Sequence, residues 1–418
     1  MKKALLIGVN INNDYFEESL KELKGLAKAN NIKVEGFVVQ NLKVINKKYY
    51  IGEGKINSIK LMADEHNVDL IIFNNELSPI QFKNLEDELN IPVLDRTMLI
   101  LDIFASRAKT KEAKIQVEVA RLKYLLPRLI NNNDNLSQQS GGNVNNRGSG
   151  EKQIDINKRI IRNKIAQLEN ELIELEENKN NAKKKRIKSE LPHVALVGYT
   201  NAGKSTLLNA FIEEYGDNIS KEVLAKDMLF ATLDTSIRHI KLPDNKEFLL
   251  SDTVGFISSL PKGLLRAFKS TLSEIADADV IINVCDVSSS DVLNHLLVTE
   301  EILQEIGIKN IPIIYAFNKA DKVGLATIKN EDNRIFLSAK NHLNLNLLIN
   351  EIKKIIFADW KKCKMLIPYE NSNVLSYLCE HATIIEKEFT NEGTKLFVEL
   401  SPIDFKKYNE YIWIDAAS

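Results

Sequence analysis

The chain divides by the period of its apolar positions. Over residues 1–110, short apolar runs (ALLIGVN, VEGFVVQ, DLIIFNN, PVLDR) alternate with segments around Tyr15–Asn30, Lys55–Asn67, Ser78–Asn90 and Thr97–Thr110 that carry helical spacing. Unbroken apolar runs suit strands covered on both faces, and their alternation with helices predicts a small parallel α/β domain. From residue 111 the period changes. Ile115, Val119, Leu122, Leu126 and Leu129 recur at four–three spacing, and Ile161, Ile165, Leu168, Leu172 and Leu175 repeat it. Pro127 predicts a kink or an end late in the first of these helices. Between the two seams, residues 131–150 are rich in Asn, Ser, Gln and Gly and predict a mobile tip with no core. The seams fit an antiparallel helical hairpin or two separate surface helices, and the pattern leaves both open.

Beyond Leu191, alternating strands and helices return until about Lys362. The remainder reads as a small α+β domain: a strand in KMLIPYE, a helix around Val374–His381, strands TIIEKEF and TKLFVEL turning at Asn391–Gly393, and a last helix from Asp404. The expected organisation is therefore an N-terminal α/β domain (1–110), a helical hairpin (111–190), a phosphate-loop α/β domain (191–362) and a C-terminal α+β domain (363–418).

The sharpest pattern is Val194–Thr206. A buried strand breaks at Gly198 and is followed at once by a helix, with Gly198-Tyr199-Thr200-Asn201-Ala202-Gly203-Lys204-Ser205-Thr206 between. This is a phosphate cradle: the glycines let backbone N–H groups turn onto phosphate oxygens, and the helix N-terminus adds partial positive charge. Lys204 is expected on the β- and γ-phosphates and Ser205 on Mg²⁺. A magnesium carboxylate and a γ-phosphate contact should follow on a later strand. Asp252-Thr253-Val254-Gly255, 48 residues after Lys204, supplies both at the end of an apolar run.

Asn318-Lys319-Ala320-Asp321 then ends another apolar strand. A carboxylate at Asp321 accepts from guanine N1–H and the 2-amino group, a donor pair that adenine lacks, while Lys319 covers the base and Asn318 braces the loop. Ser338-Ala339-Lys340 follows the strand Ile335–Leu337, and its backbone can meet guanine O6. In this order the motifs predict a GTP-binding domain with GTP or GDP and Mg²⁺ as its ligands. Between the cradle and Asp252, a segment around Phe230-Ala231-Thr232-Leu233-Asp234-Thr235 should bring a threonine to the magnesium, and Thr232 and Thr235 both qualify by position. Lys204, Thr232 and Gly255 are the residues expected to act on the transferred phosphate. Phe256 stands where a water-orienting glutamine is common, and a phenyl ring cannot hydrogen-bond water. Slow hydrolysis that a partner accelerates is expected.

Composition narrows the partners little. The 56 basic and 57 acidic residues nearly cancel, so a nucleic-acid partner would need a local patch. Residues 151–190 carry 11 Lys/Arg against 8 Asp/Glu, with clusters at Lys158-Arg159, Arg162, Lys164 and Lys183–Arg186. This suits either a solvated helix face or structured RNA, with Arg147 in the adjoining tip. Tyr49-Tyr50-Ile51-Gly52-Glu53-Gly54-Lys55 allows a phosphate or RNA contact, but two spaced glycines favour a plain connection. The three scattered cysteines fit a reducing cytoplasm, and no run has the length of a membrane span.

Taken together, GYTNAGKST, LFATLD, DTVGFI, NKAD and SAK resemble the HflX family of translational GTPases. YYIGEGK, EAKIQVEVARLKYLLPRL and GGNVNNRGSGEKQIDINKRIIRNKI extend the resemblance over most of residues 1–360. Two positions depart from the family pattern: Ser149 replaces a usual proline in the tip, and Thr235-Ser236 replaces Pro-Thr. The resemblance selects Thr232 as the magnesium-contacting threonine. It implies a soluble cytoplasmic monomer that binds the large ribosomal subunit, rRNA and protein, through the N-terminal domain and hairpin and splits stalled ribosomes under stress. Two other readings stay open: a non-ribosomal GTP switch dimerising through the hairpin, and an N-terminal domain that uses ATP.

Overall fold

A computed structural model describes the chain except for residues 13–14, 129–146, 188–190, 217–229, 231–235, 259–268, 325–332 and 414–418. The described residues fall into two compact units. Residues 1–185 with Phe230, Ile257, Ser258 and Lys269–Thr271 belong to the first, and most of the chain from 191 onward belongs to the second.

The first unit opens with β1 (Lys2–Asn10), α1 (Phe16–Ala29), β2 (Ile32–Asn41), α2 (Glu53–Glu65), β3 (Leu70–Phe73), α3 (Pro79–Leu89), β4 (Val93–Asp95) and α4 (Arg96–Arg107). The strands form a parallel sheet in the order β2-β1-β3-β4. Crossover helices cover the sheet, so Ala4, Leu5, Leu6 and Ile7 in β1 and Leu70, Ile71, Ile72 and Phe73 in β3 are buried without alternation. Local chemistry sets the helix starts. Ser78 and Gln81 close a reciprocal capping box behind Pro79, and the Asp95 carboxylate accepts from the Met98 N–H. The segment Tyr49–Lys55 is a tight connection: Tyr49, Tyr50 and Ile51 lie in the core, and the Gly52 N–H donates to Gln40 Oε1 at 3.0 Å.

Helix α5 (Lys111–Leu125) and the long α6 (Arg147–Ile187) pack seam against seam. Ile115, Val119, Ile165 and Leu168 form one buried cluster flanked by Leu122, Leu126, Ile161, Leu172 and Leu175. Of the ten seam positions only Leu129 lies outside the described residues. Because α6 starts at Arg147, the last four residues of the stretch expected to be a mobile tip are helical instead; positions 131–146 of that stretch lie outside the described residues. The end of α5 is tied to the sheet, where Tyr124 OH and Arg128 Nη2 donate to the fully buried Asp95 carboxylate and Arg128 also reaches the Leu77 carbonyl at 2.8 Å.

In the second unit come β5 (His193–Val197), α7 (Lys204–Tyr215), β6 (Ser236–Lys241), β7 (Glu247–Asp252), α8 (Lys269–Ala276, in this unit from Leu272), β8 (Val280–Asp286), α9 (Val292–Glu305), β9 (Ile313–Asn318), β10 (Arg334–Phe336) and α10 (Leu345–Ile356). Their sheet runs β10-β9-β8-β5-β7-β6, parallel except for the edge strand β6. The same unit carries β11 (Lys361–Ile367), α11 (Ser372–His381), β12 (Thr383–Thr390), β13 (Gly393–Leu400) and α12 (Pro402–Lys407), with β11-β13-β12 antiparallel. Strand β11 begins two residues before the boundary expected at 363. The β6–β7 turn holds this sheet. Asn245 donates to the Cys379 and Ala382 carbonyls, and Lys246 meets Glu399 at 2.9 Å under the rings of Phe357 and Trp360.

Candidate nucleotide site

The site lies at the carboxyl end of the second unit's parallel strands, where open α/β sheets present loops and helix N-termini. Strand β5 is flanked by β7 and β8, so the chain leaving Val197 must turn sharply over its neighbours. Two glycines make that possible. Gly198 has φ +139°, and a Cβ there would stand 2.2 Å from the Val284 carbonyl. Gly203 has φ +95°, and a Cβ there would stand 2.2 Å from Asn318 Nδ2. Helix α7 then starts at Lys204 with no side-chain cap on its first turn, which leaves its N-terminal N–H groups to a ligand.

Lys204 is 6 % exposed, and its ammonium folds back onto the Gly198 and Tyr199 carbonyls at 3.0 and 2.9 Å. Burial pulls its pKa down to about 8, with Asp252 acting in the opposite sense. A buried cation with two carbonyls for partners gains from a polyanion. Ser205 Oγ donates to Asp252 Oδ2 at 2.6 Å, so a hydroxyl and a carboxylate from separate elements converge. These hard oxygen donors fit Mg²⁺. Thr253 Oγ1 donates to the Leu196 carbonyl at 2.7 Å and locks the strand end beneath them, and Val254 is buried beside it.

The chain after Asp252 lies against the phosphate loop. Phe256 N–H donates to the Gly198 carbonyl at 3.1 Å, and Thr200 N–H donates to the Phe256 carbonyl at 2.7 Å. Tyr199 stacks on the His295 imidazole of α9, centroids 3.8 Å apart and rings 17° from parallel.

Asn318 joins the two halves of the site. Its Nδ2 donates to the Ala202 carbonyl at 2.9 Å, and its Oδ1 accepts from the Ala339 N–H at 2.9 Å. One buried amide thereby sets the phosphate loop against the Ser338-Ala339-Lys340 loop. Lys319, at φ +63°, spans Asn201 O and Asp286 Oδ2, both at 2.7 Å. Burial pushes the Asp286 carboxyl up, but hydrogen bonds from Lys319 and Ser288 outweigh it and hold the group below its usual range. Asp321 sits exposed in the turn Ala320–Lys322, which the Ala320 N–H ties to the Leu337 carbonyl at 3.1 Å. Sequence reasoning missed Asp286 and His295. Asp286 had a signal, as the polar end of the apolar strand VIINVCD, whereas His295 had none, since stacking depends on how α9 packs.

Phe230 belongs to the first unit and packs edge-on against Phe104, centroids 4.6 Å apart. Ala231, Thr232, Leu233, Asp234 and Thr235 lie outside the described residues.

Three family descriptions match consecutive parts of the chain: a GTP-binding GTPase N-terminal region over residues 17–105, a GTP-binding GTPase middle region over 107–186, and a 50S ribosome-binding GTPase over 193–319. The GTPase HflX of Caldanaerobacter subterraneus is 42% identical over 401 residues, covering 96% of this chain and 91% of the relative. The GTPase HflX of Escherichia coli K12 is 34% identical over 414 residues, covering 97% and 95%. A crystal structure of a GTP-binding protein from Sulfolobus solfataricus in complex with GDP is 28% identical, covers 86% of this chain and 99% of that one, and has a TM-score of 0.45.

Proposed function

We propose, for a chain that belongs to the HflX family of GTPases, that GTP controls its docking on the large ribosomal subunit and drives the splitting of stalled ribosomes. Binding and hydrolysis of GTP follow from the family and from the phosphate-loop fold of the second unit. The observation that carries the residue assignment is the double bridge of Asn318, which fixes a phosphate-reading loop and a base-reading loop in one register. In this reading Lys204 and the N–H groups of residues 200–206 hold the phosphates, and Gly255 offers its N–H to the terminal one. Asp321 accepts from the guanine edge, Lys319 lies over the base, and residues 338–340 meet O6. Ser205 and Asp252, with Thr232, hold Mg²⁺, which when bound screens the charge that develops on the phosphates.

Phe256 supplies no hydrogen bond to an attacking water, so turnover is slow until the ribosome completes the site. The first unit and the α5–α6 pair supply the ribosomal contact, consistent with exposed Arg159, Arg162 and Lys164 on α6. The competing dimerisation reading loses support because the seam residues that would pair two chains are buried against each other within one. An ATP site in the first unit gains none, since Tyr49–Lys55 serves as a connection there. No helix among the described residues is long and apolar enough to cross a membrane. The protein is read as a cytoplasmic monomer.

Pelleting with purified large subunits tests the docking. Protein is expected in the ribosomal pellet with a non-hydrolysable GTP analogue and in the supernatant with GDP. Retention in the supernatant with both nucleotides, as a dimer, would replace the ribosomal reading with a protein switch. In a sucrose gradient, intact ribosomes incubated with protein and analogue should shift toward separate subunits, and GTP turnover should rise at least about tenfold when large subunits are added. Equal rates with and without subunits would reject partner-completed catalysis.

A further inference from the structure

The extended segment that carries Gly255 and Phe256 follows the end of β7 at Asp252. It forms a short parallel bridge with the phosphate loop at Tyr199, closed by the Phe256 N–H to the Gly198 carbonyl and the Thr200 N–H to the Phe256 carbonyl. The approach is close. A Cβ on Gly255 would stand 2.9 Å from Thr200 Cα and 3.0 Å from Lys204 Nζ. The Gly255–Phe256 peptide thus occupies the side of the loop where the lysine ammonium and the loop N–H groups converge, which is where a terminal phosphate is held. The Phe256 side chain is 2 % exposed and anchors this arrangement in the core. The Thr200 hydroxyl oxygen is also buried, with no hydrogen-bond partner among the described residues.

One N–H does not serve a carbonyl and a phosphate oxygen well at the same time. A γ-phosphate that takes the Thr200 N–H must therefore lift the Phe256 carbonyl away, whereas a diphosphate ends before that point and leaves the bridge closed. Lifting the strand also draws on the buried phenyl ring. We propose that the Gly255–Phe256 strand is a built-in competitor of the γ-phosphate, and that Phe256 is the residue setting this protein's preference for GDP over GTP. The position where a catalytic glutamine is absent thus carries a different role, discrimination between nucleotide states. The Thr200 N–H and hydroxyl are what the terminal phosphate gains once the strand has moved.

Equilibrium titration of the full chain with fluorescent GDP and a fluorescent non-hydrolysable GTP analogue tests this. The wild-type chain is expected to bind GDP about tenfold or more tightly than the analogue. Phe256→Ala should reduce that ratio by about tenfold, through tighter binding of the analogue with GDP affinity kept within about twofold. Phe256→Leu, which restores most of the buried apolar volume, should return most of the preference. A wild-type chain with no preference overturns the proposal, as does a Phe256→Ala chain that weakens both nucleotides equally. Hydrogen exchange on the wild-type chain is independent of any variant's folding: the Phe256 N–H should lose protection with the analogue and keep it with GDP. Equal protection in both complexes also overturns the proposal. Failure to bind either nucleotide would instead reject the phosphate-loop assignment, so the two failures are distinguishable.

Discussion

At the scale of single residues, the site works by directing polar groups that have few alternatives. Asp321 stands exposed in its turn, where its carboxylate is available to a base edge. Asp321→Asn replaces an acceptor by a donor, so GTP affinity should fall about 100-fold or more. Affinity for xanthosine triphosphate, whose O2 accepts where guanine donates, should rise; competition against fluorescent GDP reads both. His193 gives a pH signature. Burial at the start of β5 holds its pKa below the usual histidine value, and its Nε2 lies 2.9 Å from Ser251 Oγ. The unfolded chain therefore binds a proton at His193 that the folded chain resists. Stability of the second unit should decline as pH falls from about 6.5 toward the lowered folded value and be level in this respect above it. Urea unfolding at stepped pH checks this, and His193→Gln should flatten the slope.

At the scale of elements, the α5–α6 pair and the sheets are held by different means. The helix pair has a narrow core, so each seam residue carries a large share of it. Leu168→Ala should cost about 2–3 kcal/mol locally, below the upper end for Leu→Ala because the site is not fully closed. The expected result is faster hydrogen exchange along both helices with the β1–β4 sheet unchanged. Equal loss of protection in the sheet would show that pair and sheet unfold as one. The sheets are bound by longer registers, such as the nine paired positions of β1 and β2. The Asp95 cluster joins the two kinds of element. It caps α4 through the Met98 N–H, accepts from the Leu77 N–H, and receives Tyr124 and Arg128 from the end of α5. Its loss leaves Arg128, which is nearly buried, without its carboxylate.

At the scale of the whole molecule, the two units have separate cores, and the phosphate loop, Asp252 and the loops at Asn318–Asp321 and Ser338–Lys340 lie in the second. Both tryptophans, Trp360 and Trp413, also lie in the second unit. GDP at 100 times its Kd should therefore stabilise the tryptophan-detected unfolding transition by about 2.7 kcal/mol. A transition of the first unit, followed by tyrosine fluorescence or circular dichroism, should not move. A shift of both by the same amount would show that the units unfold together. The chain also changes unit between Phe256 and Ile257, immediately after the strand that bridges the phosphate loop. On the far side of that step, Ser258 is held by Arg96 and Glu22, which themselves pair at 2.6 Å.

By itself the sequence determined the strand–helix alternation, the phosphate loop, the Asn-Lys-x-Asp turn at the end of β9 and the two helical seams. Each of these is a local pattern in which period or spacing carries the physics. It placed Asp252 and Gly255 correctly after a buried strand, because a strand end is legible from an apolar run. Tertiary structure alone decided that Asn318 bridges two loops through Ala202 and Ala339, that Asp286 holds Lys319, and that Tyr199 stacks on His295. Tertiary structure alone also revealed the ladder between Phe256 and the phosphate loop. Such pairings join residues that are distant along the chain, and they depend on how sheets and helices close over one another. No periodicity in the sequence encodes that closure.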